Sequence, residues 1–159
     1  MRVGIGYDSH RFAPGRPLVL GGVRIPYELG LDGHSDADVV AHAVTDAILG
    51  AAALGDIGSH FPPDDERWRG ADSIELLRAA VRILEERNFQ VVNVDVTLVL
   101  EAPRLRPHVD AMRTRLADAL TISPENVSVK GKTNEQMGWI GRGEGIAGMA
   151  VALIDAVRD

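Results

Sequence analysis

The spacing of apolar residues changes repeatedly along this chain, and that alternation limits the folds open to it. Val40, Ala43, Val44, Ala47, Ile48 and Ala51 recur at helical intervals, as do Ile74, Leu77, Val81 and Leu84, and then Val109, Met112, Leu116 and Leu120. The first set predicts a helix over Ser35–Ala52, with Ser35 and Asp38 at capping-box spacing. Asp72 and Glu75 suit the start of the second helix, and Pro107 the first turn of the third. Between these helices lie β-rich runs. Residues 2–8 read as a strand with Val3 and Ile5 on one face, and Leu18 to Ile25 as a hairpin turning at Gly21-Gly22. Val91 to Leu100 reads as a long buried strand. Val127 to Lys130 follows the turn Ser123-Pro124-Glu125-Asn126. Ile146 to Val157 mixes small and β-branched residues, so its period is ambiguous, and a strand is the favoured reading. Strands alternating with helices predict an α/β or α+β sandwich, with helices over one sheet face.

The 159 residues fit a single domain, 1–159, with no repeat and no low-complexity linker. No apolar run approaches the roughly 18 residues that cross a bilayer. The opening MRVGIGYDSHRF lacks a signal-peptide pattern, so a soluble cytoplasmic protein is expected. A formal charge of −6 disfavours a nucleic-acid-binding face, and aromatic residues at 4% are too few for a base-stacking platform. There is no cysteine, which removes disulfides, thiolate zinc sites and cysteine nucleophiles together. Any metal must be held by carboxylates and by the five histidines, His10, His34, His42, His60 and His108.

Asp8 and His10 lie two apart in the first strand, so both side chains point to the same face. His42, early on the first helix, is the best candidate for a third ligand. Three such ligands would leave one zinc position open, as catalytic sites do. A polar strand end explains Asp-x-His equally well. Asp46, one turn after His42, suits a partner for that imidazole, a substrate contact or a plain surface acid. Gly33 to Asp38 runs into a predicted helix N-terminus, where backbone N–H groups attract anions, and His34 sits just before the predicted cap. Gly55 to Asp65 is a long connection rich in turn residues. Lys130-Gly131-Lys132-Thr133-Asn134-Glu135 is not a P-loop, because Asn126 stands where its first glycine is required. Its lysines, hydroxyl and acid together nonetheless suit phosphate and a hard cation, and Glu135 could hold Mg²⁺ or Mn²⁺. Gly141-Arg142-Gly143-Glu144-Gly145 is either a tight chain crossing or an arginine presented to an anion.

Taken in order, these motifs resemble the 2-C-methyl-D-erythritol 2,4-cyclodiphosphate synthase family. The match rests on Asp8-Ser9-His10, Gly21 to Pro26, His34 to Asp38 with His42, Gly55 to Gly58, Gly70 to Ser73, Pro103 with Pro107-His108, and Gly141 to Ile146. The resemblance implies a mixed sheet covered by helices on one face, in a homotrimer with the sheets around a threefold axis and active sites between subunits. It implies cyclisation of a cytidine diphosphate substrate, 4-diphosphocytidyl-2-C-methyl-D-erythritol 2-phosphate, with release of CMP. The zinc ligands fall on Asp8, His10 and His42, and a second ion, Mg²⁺ or Mn²⁺, falls on Glu135. His34 and Thr133 take catalytic roles, and Ser35 joins them on the phosphates. Asp56, Ile57, Gly58 and Phe61 match the methylerythritol pocket. Leu100, Pro103, Arg104, Leu105, Arg106, Gly131 and Lys132 match the cytidine pocket, and Asp46, Asp65 and Asn134 also fall among the substrate-binding positions. Trp139 and Arg142 match a cavity on the threefold axis that accepts an isoprenoid diphosphate in relatives. Neither a nucleic acid nor a membrane partner is implied. Two other readings start from the same residues: a zinc phosphohydrolase, and a non-catalytic trimeric binder of diphosphates.

Overall fold

The computed structural model describes residues 1–62 and 64–157. Its strands are β1 (Arg2–Ala13), β2 (Leu18–Leu20), β3 (Val23–Ile25), β4 (Gly30–Leu31), β5 (Phe89–Val99), β6 (Val127–Lys132) and β7 (Gly145–Ala156). Its helices are α1 (Val39–Ala51), α2 (Ile57–His60), α3 (Ser73–Glu85), α4 (Val109–Leu120) and α5 (Gly138–Gly141). Five strands form a sheet in the order β4-β1-β7-β5-β6, and β2 and β3 form a separate hairpin. Among the described residues only β5 and β6 pair in parallel; the other pairings are antiparallel. The sheet is therefore mixed, with α1 packed on β1 and β7 and with α3 and α4 on the same layer. Among the described residues, no helix is long and apolar enough to cross a membrane.

The alternation of β1 decides what α1 touches. Gly4, Gly6, Asp8 and His10 share one face. A Cβ on Gly4 would stand 2.1 Å from the Ala47 carbonyl oxygen, and one on Gly6 only 1.9 Å from that of Ala43. Two bare glycines thus let the helix backbone rest directly on the strand, against small residues spaced four apart. The opposite face carries Val3, Ile5 and Tyr7, each more than half exposed. Ile5 pairs across to Val151 and Tyr7 to Met149, both also exposed. One side of the sheet is thus an uncovered apolar surface.

The core follows the helical stripes. Ile74, Leu77, Val81 and Leu84 are buried on α3, as are Met112, Leu116 and Leu120 on α4. The ambiguous segment after residue 145 is a strand that forms the centre of the sheet, paired to both β1 and β5. The first helix differs from expectation. It begins at Val39 rather than Ser35, and its cap is Asp38. Ala37 has a left-handed backbone (φ 58) that no helix accommodates. Ser35 Oγ accepts the Ala37 N–H and Asp36 Oδ1 accepts the Asp38 N–H, so short polar side chains replace helical bonds here. His34 consequently stands four residues before the cap. The helix-end anion site expected there is not formed, because Asp38 already accepts the N–H groups of Val40 and Ala41. The same buried carboxylate accepts Gly21 N–H at 2.8 Å and Gly22 N–H at 2.7 Å, tying the β2–β3 turn to the start of α1.

Candidate metal centre

Beyond the two glycines, the same row of β1 presents Asp8 and His10 to the first turns of α1, where His42 projects. Asp8 Oδ2 lies 2.9 Å from His42 Nδ1 and 3.0 Å from His10 Nε2, and the two ring nitrogens are 3.4 Å apart. A tetrahedral zinc bound at about 2.0–2.1 Å would space its ligand atoms about 3.3 Å apart. The triangle therefore fits a small tetrahedral cation, with the fourth position free for another ligand. Among the described residues this is the one cluster of three or more histidines and acids with donor atoms close enough to share an ion.

Each imidazole is held by its far nitrogen. His10 Nδ1 is 2.6 Å from the Asp32 carbonyl oxygen, which only accepts, so Nδ1 carries the hydrogen and Nε2 offers its lone pair. His42 Nε2 is 2.8 Å from Ser73 Oγ and 3.1 Å from Ser35 Oγ. Ser73 Oγ in turn donates to Asp36, whose other oxygen accepts the Ser73 N–H at 3.0 Å. The chain Asp36–Ser73–His42 thus leaves Nδ1 facing Asp8. Burial alone would raise the Asp8 carboxyl, but the hydrogen bonds and charge of His10 and His42 prevail and hold it well below the usual carboxylate range. Burial lowers the His10 imidazole, while Asp8 lifts it further, so its net shift is upward.

The predicted substrate residues fall into three groups around this centre. His34 and Ser35 line a cleft of about 440 Å³ with Arg16 and Arg69. The Arg16 guanidinium donates to the carbonyls of Gly33 and Ser35, each at 2.5 Å, and so grips the loop on both sides of His34. The second group is built around α2. Asp46 does not hold His42: its Oδ1 accepts the Ile57 N–H at 2.7 Å and anchors α2, while burial raises its carboxyl. Asp56 caps Ile57 and Gly58 by accepting the Ser59 N–H at 2.8 Å. Phe61 meets Trp68 edge-on at 5.2 Å. Asp65 is engaged by Arg67, which holds its carboxyl below the ordinary value.

The third group lies where β5 and β6 end. Leu100, Pro103, Arg104, Leu105, Arg106, Gly131, Lys132 and Thr133 line a single cavity of about 750 Å³. Ligands of open sheets gather at the carboxyl ends of parallel strands, and this pair is the parallel one. Asp8 pairs with Gly148, Gly148 with Leu98, and Leu98 with Gly131. The metal centre and this cavity therefore sit at the same end of the sheet, separated within one chain by three strand spacings, roughly 14 Å. Just beyond it, Thr133 Oγ1 donates to Glu135 Oε1 at 2.9 Å, and Asn134 Nδ2 donates to the Met137 carbonyl. Trp139 is partly exposed on α5, and Arg142 pairs with Glu144 at 2.7 Å. Asp32 and Arg16 escaped the sequence reading, and Asp36 figured there only in the polar loop before the helix. Ser73 stood in the quoted Gly70 to Ser73 motif, but an adjacent helix cap masked its second role.

The model of the YgbB family matches residues 1–155. The chain belongs to that family. The 2-C-methyl-D-erythritol 2,4-cyclodiphosphate synthase of Symbiobacterium thermophilum is 59% identical over 154 residues, covering 97% of this chain and 98% of its own. Among solved structures, a 2C-methyl-D-erythritol-2,4-cyclodiphosphate synthase in its CDP-bound form superposes with a TM-score of 0.89 at 40% identity, over 97% of this chain and 100% of its own. The bifunctional IspDF of Campylobacter jejuni superposes with a TM-score of 0.94 at 41% identity; this chain is covered to 98% but spans only 42% of that one.

Proposed function

We propose that this protein is a cyclodiphosphate synthase of non-mevalonate isoprenoid biosynthesis. It converts 4-diphosphocytidyl-2-C-methyl-D-erythritol 2-phosphate to 2-C-methyl-D-erythritol 2,4-cyclodiphosphate and CMP. The observation that carries this reading is the zinc-sized triangle of Asp8, His10 and His42 in a chain of this family. The substrate's own 2-phosphate attacks its diphosphate. An oxygen–phosphorus bond forms, the bond to the CMP oxygen breaks, and no side chain has to remove a proton, because the attacking group is already an anion. The protein's task is to bring like charges together and hold them in line.

When bound, Zn²⁺ on the triad and Mg²⁺ or Mn²⁺ on Glu135 supply positive charge to phosphate oxygens. His34, Ser35 and Thr133 hold the phosphate groups, His34 from the loop gripped by Arg16. Asp46, Asp56, Ile57, Gly58, Phe61 and Asp65 shape the methylerythritol side. The cavity from Leu100 to Arg106 and Gly131 to Lys132 takes the cytidine, with Arg104 offering a planar fork to phosphate and Asn134 at its rim. In this reading Trp139 and Arg142 border the threefold axis. The uncovered apolar face of Val3, Ile5, Tyr7, Met149 and Val151 supports a homotrimer, in which the cavity of one chain serves the metal centre of its neighbour. The cytoplasm is the expected compartment.

The test is ³¹P NMR of purified protein with Mg²⁺ and the diphosphocytidyl substrate. Signals of CMP and a cyclic diphosphate are expected. Inorganic phosphate or a linear product would make the protein a hydrolase instead.

A further inference from the structure

The turn after β6 carries two of the proposed substrate-facing groups, Thr133 and Glu135, on a backbone that does not hold its shape unaided. Glu135 (φ 51) and Gln136 (φ 61) are consecutive non-glycine residues in the left-handed region, where the Cβ crowds the following carbonyl. Two contacts confine them. On one side, a Cβ at Gly141 would lie 2.1 Å from the Gln136 carbonyl carbon, so α5 presses its bare backbone against the turn. On the other, the carboxylate of Glu101 reaches across from the end of β5. Its Oε1 accepts the Asn134 N–H at 2.9 Å and the Gln136 N–H at 3.2 Å. The strand ends are already locked together by the Leu100 N–H donating to the Lys132 carbonyl at 2.9 Å, so Glu101 acts from a fixed base.

We infer that Glu101 is a positioning residue of the reaction: one carboxylate oxygen, accepting two N–H groups, holds the left-handed turn that sets Thr133 and Glu135 in place. The inference rests on the proposed roles of those two residues. The hold runs from Glu101 Oε1 to the backbone on both sides of Glu135, and from the Glu135 side chain to the Thr133 hydroxyl. A carboxylate in a site meant for phosphates would repel them if it were unpaired. Here the two N–H donors occupy the oxygen nearest the turn, so acceptance of hydrogen bonds, rather than negative charge, is the property the position requires. A glutamine supplies the same acceptor through its amide oxygen.

The experiment compares Glu101→Ala, Glu101→Gln, Thr133→Ala and Glu135→Ala in the full-length, zinc-loaded protein. The readouts are the cyclisation rate, Mn²⁺ binding by electron paramagnetic resonance, zinc content and thermal melting. Glu101→Ala is expected to lose about 10- to 100-fold in kcat and to weaken Mn²⁺ binding, the size typical of residues that orient ligands, with zinc content unchanged. Glu101→Gln is expected to recover the rate to within about threefold, since it keeps the acceptor. Equal losses in Glu101→Gln and Glu101→Ala would overturn the inference, because charge rather than hydrogen bonding would then matter. So would a parental rate in Glu101→Ala beside slow Thr133→Ala and Glu135→Ala. If Thr133→Ala and Glu135→Ala themselves run at the parental rate, the roles assigned to those residues fail first, and that result is distinguishable from the other two.

Discussion

The hydroxyl oxygen of Ser73 lies 2.8 Å from His42 Nε2, on the side of the ring away from Asp8. The contact fixes which nitrogen keeps its hydrogen, and Asp36 fixes the hydroxyl in turn. Ser73→Ala leaves the three candidate ligands in place but removes the nearer of the two hydroxyls that hold the ring, Ser35 Oγ remaining at 3.1 Å. We expect zinc to bind about 10- to 100-fold more weakly, as judged by competition with a chromogenic chelator. An unchanged affinity would show that Ser35 and packing suffice to orient the imidazole.

Acid should weaken metal binding. A ligating imidazole must be neutral, and Asp8 raises the proton affinity of His10 in the metal-free state. Below that raised value the metal has to displace a proton, so apparent zinc affinity falls as pH falls, by about tenfold per unit for each proton displaced. Raising the pH through the same range restores it. Zinc titrations between about pH 5 and pH 8 check this, and a flat profile would contradict it.

Gly6→Ala tests the contact between strand and helix. The added methyl has no room, since the obstacle is the Ala43 backbone rather than a side chain that can rotate. The expected cost is about 3 kcal/mol, at the upper end for overpacking, read from urea unfolding. Because His42 precedes Ala43, zinc content should fall with stability. A fully stable Gly6→Ala that retains zinc would mean α1 shifts freely along the sheet.

Ile5→Asp addresses assembly. Ile5 is 69% exposed in the single chain, so a carboxylate there costs the isolated fold little. Buried against neighbours in a trimer, it would be an unpaired charge. Sedimentation should show trimers for the parent and monomers for the variant, with circular dichroism unchanged and cyclisation lost. A trimeric, active Ile5→Asp would place the interface elsewhere.

Much of this was readable from residue order alone. The stripes on α3 and α4 and the glycine turn between β2 and β3 each carry a local signal of period or turn chemistry, whereas the last strand rests on its β-branched residues without a clear period. The start of α1 was misplaced because Ser35 and Asp38 both qualify as caps. The left-handed Ala37 that decides between them has no signature in its side chain. Asp8 and His10 could be paired by strand alternation, whereas bringing His42 to them required the packing of Gly4 and Gly6 on α1. The position of Asp46 one turn after His42 suits a partner, a substrate contact or a surface acid alike, and spacing cannot choose among them. The observed partners, Ser73 and Ser35, come from other segments, and contacts across segments leave no periodicity to read.

Strand β1 works as a two-sided ruler. Even positions from Gly4 to His10 meet the helix and the candidate metal centre, while odd positions from Val3 to Tyr7 face away from the helix and stand exposed. A slip of one residue against β7 would turn both donors outward and drive three bulky side chains into the helix at once. Such a misregistered chain would lose the donor triangle and the apolar face together, so one register of β1 against β7 serves both sides of the sheet.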